Sequence, residues 1–422
     1  MSRIWIFNHD ACSPSTGPML RHYNFAKYLD KMGHNVTVFA QNHIHFNDRV
    51  IEIERGNYLR HDEDGVDFVR VKTRAYSGNG ISRVLNWYSY YRRLFKISKK
   101  LNKSGECPDI IIGSSVHPLA CVAAIKIAKK FKVPAIAEIR DLWPEAIFMA
   151  GFTREKSLIG RALTRLEHWI YKHADQLIFT KEGDKDHLLE MGWDRESGGD
   201  IDMRKCNYIN NGVDLDSYNA QINEKILEDA DLDNKEKFKL VYTGTLRPMN
   251  NIDLILDAAK ILQKKDPDIQ ILIFGDGNQR ERLEKRKFDE NIENLYFKGF
   301  VNKEKIPNIL SKSSANILNY SQANYNWTRG NSSNKLFEYM ASGKPIISTI
   351  QMGYSIIERY DCGIELEKQS AEALADAVLE LKKLPEERLT EIAKNAQGCA
   401  KDFDFKHLSQ KLENLIKQTL IH

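Results

Sequence analysis

Between Asn331 and Pro345 the chain reads Asn-Ser-Ser-Asn-Lys-Leu-Phe-Glu-Tyr-Met-Ala-Ser-Gly-Lys-Pro, followed by Ile346-Ile347. The spacing predicts a short helix feeding a buried strand. Ser332, Ser333 and Asn334 are N-cap types, Leu336, Phe337 and Met340 supply an apolar face, and Gly343 with Pro345 stops the helix. The backbone N–H groups of Asn334 and Lys335 have no partner inside such a helix, and its dipole favours an anion at that end, such as a diphosphate. Glu338 stands four residues on from Asn334, on the same face. Its two acceptor oxygens suit a diol attached to that diphosphate. A solvated surface glutamate is the plain alternative.

The rest of the chain must supply a scaffold for that helix start. A length of 422 residues exceeds one ordinary core and fits two domains of about 150 to 200 residues. With 42% hydrophobic and 28% charged residues the composition is that of a soluble globular protein, and a formal charge of +4 is too small to indicate a nucleic-acid partner. The six cysteines are scattered without a C-x-x-C pair and read as reduced thiols of a cytoplasmic protein. The apolar run at Ile4 to Phe7 is too short for a signal peptide, and no stretch of about 18 apolar residues occurs.

Ile4 to Phe7 suits a buried strand that opens into a loop holding Gly17, followed by a helix from about Met19 to Met32 and a strand at Val36 to Ala40. This is the β-loop-α-β start of a Rossmann-like domain, and Gly17 either lets backbone approach a ligand or is a simple turn glycine. Asp67 to Lys72 reads as a strand, and a loop at 76–80 leads to a helix at 81–103. On that helix Arg92, Lys96, Lys99 and Lys103 share one stripe, with Val84, Trp87, Tyr91, Leu94 and Phe95 on the far side. The stripe suits either an anionic membrane surface or a solvated face. A strand at 109–113 leads to a loop at 114–118 that holds His117. The strand Pro134 to Ile139 delivers Arg140, Asp141, Leu142, Trp143, Pro144 and Glu145 to its carboxyl end, where doubly wound sheets bind ligands. An ion pair is the plain reading of Arg140 beside Asp141. The stretch Arg195 to Asp200 reads as an exposed loop or an interdomain segment.

The second half repeats the pattern. Lys239 to Thr243 is a strand that runs into Gly244, Thr245 and Arg247, with a helix from Ile252 to Gln263 after it. Ile269 to Phe274 is a further strand closing on Gly275 and Gly277, and a strand and turn at 296–301 end in Val301. A last helix, about Phe405 to Leu420, is apolar on one side.

The run from Asn331 to Pro345 resembles the donor-binding segment of glycosyltransferase family 4, retaining enzymes whose motif places two glutamates eight apart. The second is Glu338, and the first position holds Gly330. The segment Asp141 to Glu145 resembles a subgroup acting in bacterial surface polysaccharide assembly, including transferases of N-acetylfucosamine type. Asn211-Gly212-Val213-Asp214 is similar to the junction by which the family enters its donor domain.

The resemblance implies an α/β protein of two Rossmann-like, doubly wound domains facing a cleft (GT-B architecture). Residues 1–205 would bind the acceptor, residues 206–402 the donor, and the helix 403–422 would rejoin the first domain. It further implies a metal-independent hexosyltransferase with no bound cofactor. Such an enzyme would use a UDP-linked, N-acetylated amino sugar and a saccharide or polyprenyl-diphosphate-linked acceptor. Its place would be the cytoplasm, including the inner face of the membrane. Gly17, Gly244, Thr245, Gly275, Gly277, Val301, Ser333, Asn334, Lys335, Leu336 and Glu338 are the expected donor-binding residues, and Arg140, Asp141 and Glu145 the acceptor-binding ones. The family's loop cations near Thr245 and Asn250 are missing, so Arg247 and Lys335 become the candidate charges for the diphosphate. Asp141 would position or deprotonate the acceptor, with His117 the alternative. Asp200 with Asp202, and Asp231 with Asp233, lie in polar stretches and read as solvated, so no metal site is expected. Other readings of the same residues are a nucleotide-sugar 2-epimerase and a catalytically silent sugar-nucleotide-binding protein.

Overall fold

The computed structural model describes residues 1–421 except 45–48, 79, 116, 150 and 324. Asn79 and Val116, each within an expected loop, and the terminal His422 therefore lie outside the described residues. The chain divides into two compact units, Met1–Asn210 with the helix Phe405–Ile421, and Asn211–Asp404.

The first unit contains β1 (Arg3–Asn8), β2 (Asn35–Gln41), a small hairpin β3–β4 (His43–Ile44, Arg49–Val50), β5 (Tyr58–Glu63), β6 (Val66–Val71), β7 (Ile110–Ser114), β8 (Ala135–Ile139), β9 (Gln176–Phe179) and β10 (Cys206–Tyr208). Eight of these form one sheet in the order β10-β9-β8-β7-β1-β2-β6-β5. All its pairings are parallel except β5 with β6. Those two strands are joined at Asp64 and Gly65, both at positive φ, the backbone that a two-residue hairpin demands. The helices α1 (Arg21–Lys31), α2 (Ile81–Lys103), α3 (Pro118–Phe131), α4 (Trp143–Met149) and α5 (Leu158–His173) provide the crossovers. The last helix, Phe405–Ile421, packs on α1, with Phe405 edge-on to Phe25 at 5.5 Å and Glu413 3.1 Å from His34.

The strand order reverses between β1 and β7, where Asn8 Nδ2 donates to Ser114 Oγ at 3.1 Å. Such a switch point opens a crevice at the carboxyl ends of the strands. The stretch Arg195 to Asp200 is a turn inside this unit rather than an interdomain segment. Gly199 N–H donates to the Asp194 carbonyl at 2.7 Å and Asp200 pairs with Lys172 at 2.6 Å.

A buried carboxylate braces this edge. Glu138, the penultimate residue of β8, accepts from Arg21 Nε (2.9 Å) and Nη2 (2.7 Å), from Ser114 Oγ (2.6 Å), and lies 2.8 Å from His22 Nε2. Burial alone would raise its pKa, but Arg21 and His22 overcome that and hold it well below the usual carboxylate range. The same guanidinium donates to the carbonyls of Ile209 (2.8 Å) and Asn210 (2.6 Å), where the chain leaves this unit for the second. Removing the charge strands a buried cation, so Glu138→Leu should lower the stability of the first unit by about 3–5 kcal/mol, read from its denaturant midpoint. A change under about 1 kcal/mol would deny Glu138 that role.

The second unit is a six-stranded parallel sheet of β11 (Phe238–Thr243), β12 (Ile269–Phe274), β13 (Leu295–Gly299), β14 (Ala315–Leu318), β15 (Ile346–Ser348) and β16 (Gly363–Glu365). Its order is β13-β12-β11-β14-β15-β16, the dinucleotide-fold arrangement with its switch point between β11 and β14. The central strands are buried on both faces, as their continuous apolar runs require.

Candidate active site

In the second unit the run from Asn331 to Pro345 forms the helix Asn334–Ala341, with Ser333 as N-cap and Gly343, at φ +68, in its terminating turn. No side chain caps the start. Asn331 Oδ1 accepts from Ser333 N–H at 2.7 Å, and Leu336 N–H turns back to the Ser333 carbonyl at 3.2 Å. The N–H groups of Asn334 and Lys335 have no earlier helical turn to bond to, so they are available to an anion at this end.

Lys335 does not extend into solvent. Its ammonium lies over the ring of Tyr242 (4.7 Å) and over that of Tyr320 (4.3 Å), 3.2 Å from Tyr242 Oη. Tyr242 is in β11 and Tyr320 stands two residues beyond β14, so the cation sits at the switch point of this sheet. Removal from water pushes its pKa down to about 7, with the Glu338 carboxylate opposing the shift. Glu338 itself pairs with Lys303 at 3.2 Å.

The glycines expected to face a ligand also close these loops on each other. A Cβ on Gly244, whose φ is +151, would stand 3.1 Å from Lys335 Nζ, so the loop after β11 presses directly on the lysine. A Cβ on Gly275 would meet the Gly244 carbonyl oxygen at 1.7 Å, and one on Gly277 the Leu246 carbonyl oxygen at 2.3 Å. Both serve loop-to-loop contact. Thr245 is exposed, and its hydroxyl accepts from Asn250 Nδ2 at 3.0 Å, so Asn250 fills its own position with a structural bond. Arg247 is exposed at the end of that loop, Leu336 is buried, and Val301 is half-buried beyond β13. The structure therefore brings Gly244 against Lys335 at the helix start that Ser333 and Asn334 open. Tyr242 and Tyr320, which box the lysine, are not distinguishable in sequence from core strand residues.

In the first unit, Asp141 stands exposed at the carboxyl edge of β8, 3.5 Å from the buried ammonium of Lys181, which also lies 3.7 Å from Asp184. Arg140 is fixed through its backbone: its N–H donates to Ser115 Oγ (3.0 Å) and its carbonyl accepts from Thr180 Oγ1 (2.9 Å). Glu145 is half-buried in the first turn of α4. Gly17 closes a tight turn, donating to the Ser13 carbonyl at 3.0 Å, and its missing Cβ leaves room for Cys12 Sγ. His117 is fully buried, stacked on Trp87 at 5.0 Å and edge-on to His9 at 4.8 Å, with neither ring nitrogen hydrogen-bonded. Burial, together with the neighbouring His9, holds it well below the usual imidazole range, so it is neutral. Trp87 also meets Trp143 edge-on at 5.6 Å, which ties His117 to the segment that carries Asp141.

Sequence reasoning missed the His9–Asp10 pair (2.6 Å), anchored by Asn86 Oδ1 at 2.7 Å from His9 Nε2. It also missed Lys181 as the partner of Asp141.

Two families described as "Glycosyl transferase 4-like domain" and "Glycosyl transferases group 1" match residues 16–197 and 224–398, one in each unit. The chain belongs to the GT-B glycosyltransferases. An uncharacterized glycosyltransferase of Methanocaldococcus jannaschii is 22% identical over 319 residues, 75% of this chain and 77% of that one. The poly(ribitol-phosphate) alpha-N-acetylglucosaminyltransferase of Staphylococcus aureus is 27% identical over 143 residues, 33% of this chain and 27% of its own. Among solved structures, Anabaena HepE in complex with UDP-glucose superposes with a TM-score of 0.66 at 15% identity, covering 99% of this chain and all of that one. At that identity the likeness is one of fold. The glycosyltransferase's two Rossmann-like units thus present a cationic helix start in one and a carboxylate at a strand end in the other.

Proposed function

We propose that this glycosyltransferase moves an N-acetylated amino sugar from a UDP-sugar to a saccharide or polyprenyl-diphosphate-linked acceptor, with retention at the anomeric carbon. The observation that carries the reading is the uncapped helix start at Asn334 and Lys335, with the lysine held between two tyrosines at a switch point. UDP as the nucleotide is supported by HepE, solved with UDP-glucose. The amino sugar is supported by the resemblance of Asp141 to Glu145 and by the name of the Staphylococcus aureus relative.

In this mechanism the acceptor oxygen attacks the anomeric carbon from the face that the diphosphate leaves. The carbon–oxygen bond to phosphate breaks with its electron pair moving to the phosphate oxygen, and that oxygen takes the acceptor's proton. Lys335 and the N–H groups of the helix start stabilise the charge that develops there, the electrostatic work a metal does elsewhere. Asp141 holds the acceptor hydroxyl.

A screen of UDP-sugars for UDP release, with a short polyprenyl-diphosphate sugar as acceptor and EDTA present, tests the reading. Release with an N-acetylamino sugar donor and a product of unchanged anomeric configuration is expected. An inverted anomer, a requirement for metal, or epimerisation of the donor without acceptor would each overturn it.

A further inference from the structure

One face of the first unit's sheet is covered by a layer of helices whose outer surface is both apolar and basic. Across its 23 residues α2 carries no acidic side chain. The solvent-facing stripe of α2 changes character along its length. In the first two turns it shows Ile81 (79% exposed), Val84 (52%) and Tyr88 (49%), and further on Arg92, Lys96, Lys99 and Lys103. The sequence pattern puts Val84 with the packed aromatics, but the helix is rotated so that Tyr90 and Leu94 take the buried positions and Val84 faces out. A second apolar group projects between α4 and the start of α5, with Phe152 70%, Leu158 85% and Ile159 65% exposed. Arg154, Glu155 and Lys156 are exposed between them, a net charge of +1.

These two groups belong to one surface. Trp87 of α2 meets Trp143 of α4 at 5.6 Å. Lys126 of α3 donates to Tyr91 Oη of α2 at 3.5 Å and lies over the Trp169 ring of α5 at 5.7 Å, so α2, α3 and α5 form a continuous layer. Each crossover follows one parallel strand and returns to the start of another, so α2 and the α4–α5 segment both begin at the carboxyl edge of the sheet. That edge carries Arg140 and Asp141.

We propose that this surface docks the protein on an anionic lipid bilayer, with the apolar starts of α2 and α5 entering the headgroup boundary and the basic end of α2 lying over the headgroups. Protruding apolar side chains beside a helix stripe that carries only basic charge suit a continuous anionic surface that offers no pockets. No helix among the described residues is long and apolar enough to cross a membrane, so the contact is interfacial. The proposal deepens the acceptor reading, since it brings the edge that holds Asp141 to the surface where a polyprenyl-diphosphate head would lie, but it stands on exposure and charge alone.

The test is sedimentation of the full chain with phosphatidylcholine vesicles with and without phosphatidylglycerol. Binding to the anionic vesicles is expected. Lys96→Glu, Lys99→Glu and Lys103→Glu together should weaken it by roughly a hundredfold or more, since each basic residue near such a surface contributes about fivefold. Ile81→Asp with Leu158→Asp should abolish the part of the binding that survives raised salt. Absence of wild-type binding, or binding indifferent to the aspartate pair, would overturn the proposal. So would a concentration-dependent dimer that the aspartate pair dissociates. UDP release on a soluble saccharide acceptor without vesicles should be unchanged in these variants, which separates failure of the docking surface from failure of the proposed reaction.

Discussion

Lys335→Ala is expected to lower kcat/KM by about 10²–10³-fold, the loss typical of removing one preorganised stabiliser of developing charge. The reason is substitution within the site. The loop after β11 offers Thr245 and Asn250 where the resembling family has cations, and Asn250 is committed to a bond with Thr245. Arg247 is exposed. In the proposed reaction the charge for the diphosphate then falls on an ammonium over two tyrosine rings, where burial pushes its pKa down to about 7 and Glu338 only partly restores it. A bound diphosphate must raise that value, so the complex holds more protons than the free protein above pH 7. The affinity for UDP should therefore fall as pH rises from about 7, by up to about tenfold per unit, with proton uptake measurable by calorimetry in buffers of different ionisation heat. Lys335→Met should remove both the uptake and the slope. For the free protein the sign is opposite: the unfolded lysine titrates near 10.4, so this group makes folding more favourable as pH rises between about 7 and 10.4. A Lys335→Ala enzyme within roughly threefold of wild type, or UDP binding without proton uptake, would remove the lysine from the site.

The helix that carries Lys335 was legible because its instructions are local: cap types before it, an apolar face along it, Gly343 and Pro345 after it. The apolar runs that became β7 and β8 were legible for the same reason. What could not be read is adjacency. Tyr242, Tyr320 and Lys335 meet because β14 pairs with β11, and strand order is a property of the sheet rather than of any segment. Strand β5, Tyr-Leu-Arg-His-Asp-Glu, lacks the apolar alternation of a strand and is held by its antiparallel pairing to β6 across the Asp64-Gly65 turn. Glu138 left a trace in the sequence, a carboxylate inside Ala-Ile-Ala-Glu-Ile, but the identity of its partners depends on how α1 sits against β8. The phase of α2 was misjudged at Val84 because aromatics on half-buried positions leave the apolar stripe too broad to orient.

The same distinction between local and assembled features bears on Asp141, where a loss of about 10²–10⁴-fold in kcat is expected for Asp141→Ala, with little change in UDP affinity. The carboxylate lies at the carboxyl edge of β8, half exposed, with a buried ammonium from Lys181 at 3.5 Å holding it on one side. Lys181 keeps Asp184 at 3.7 Å when Asp141 is removed, so the alanine variant should fold and its defect can be read as chemistry. Asp141→Asn separates two roles. If the carboxylate orients the acceptor hydroxyl while the leaving phosphate takes the proton, the amide keeps a hydrogen-bond acceptor and should recover at least about tenfold of the lost kcat. If Asp141 removes the proton itself, asparagine should be as poor as alanine, because the amide is no base. Near-normal turnover in Asp141→Ala would exclude the residue from both roles. His117 would remain as the alternative acceptor of a proton, and a hydroxyl could reach it only if Trp87, which stacks on its ring at 5.0 Å, moved aside.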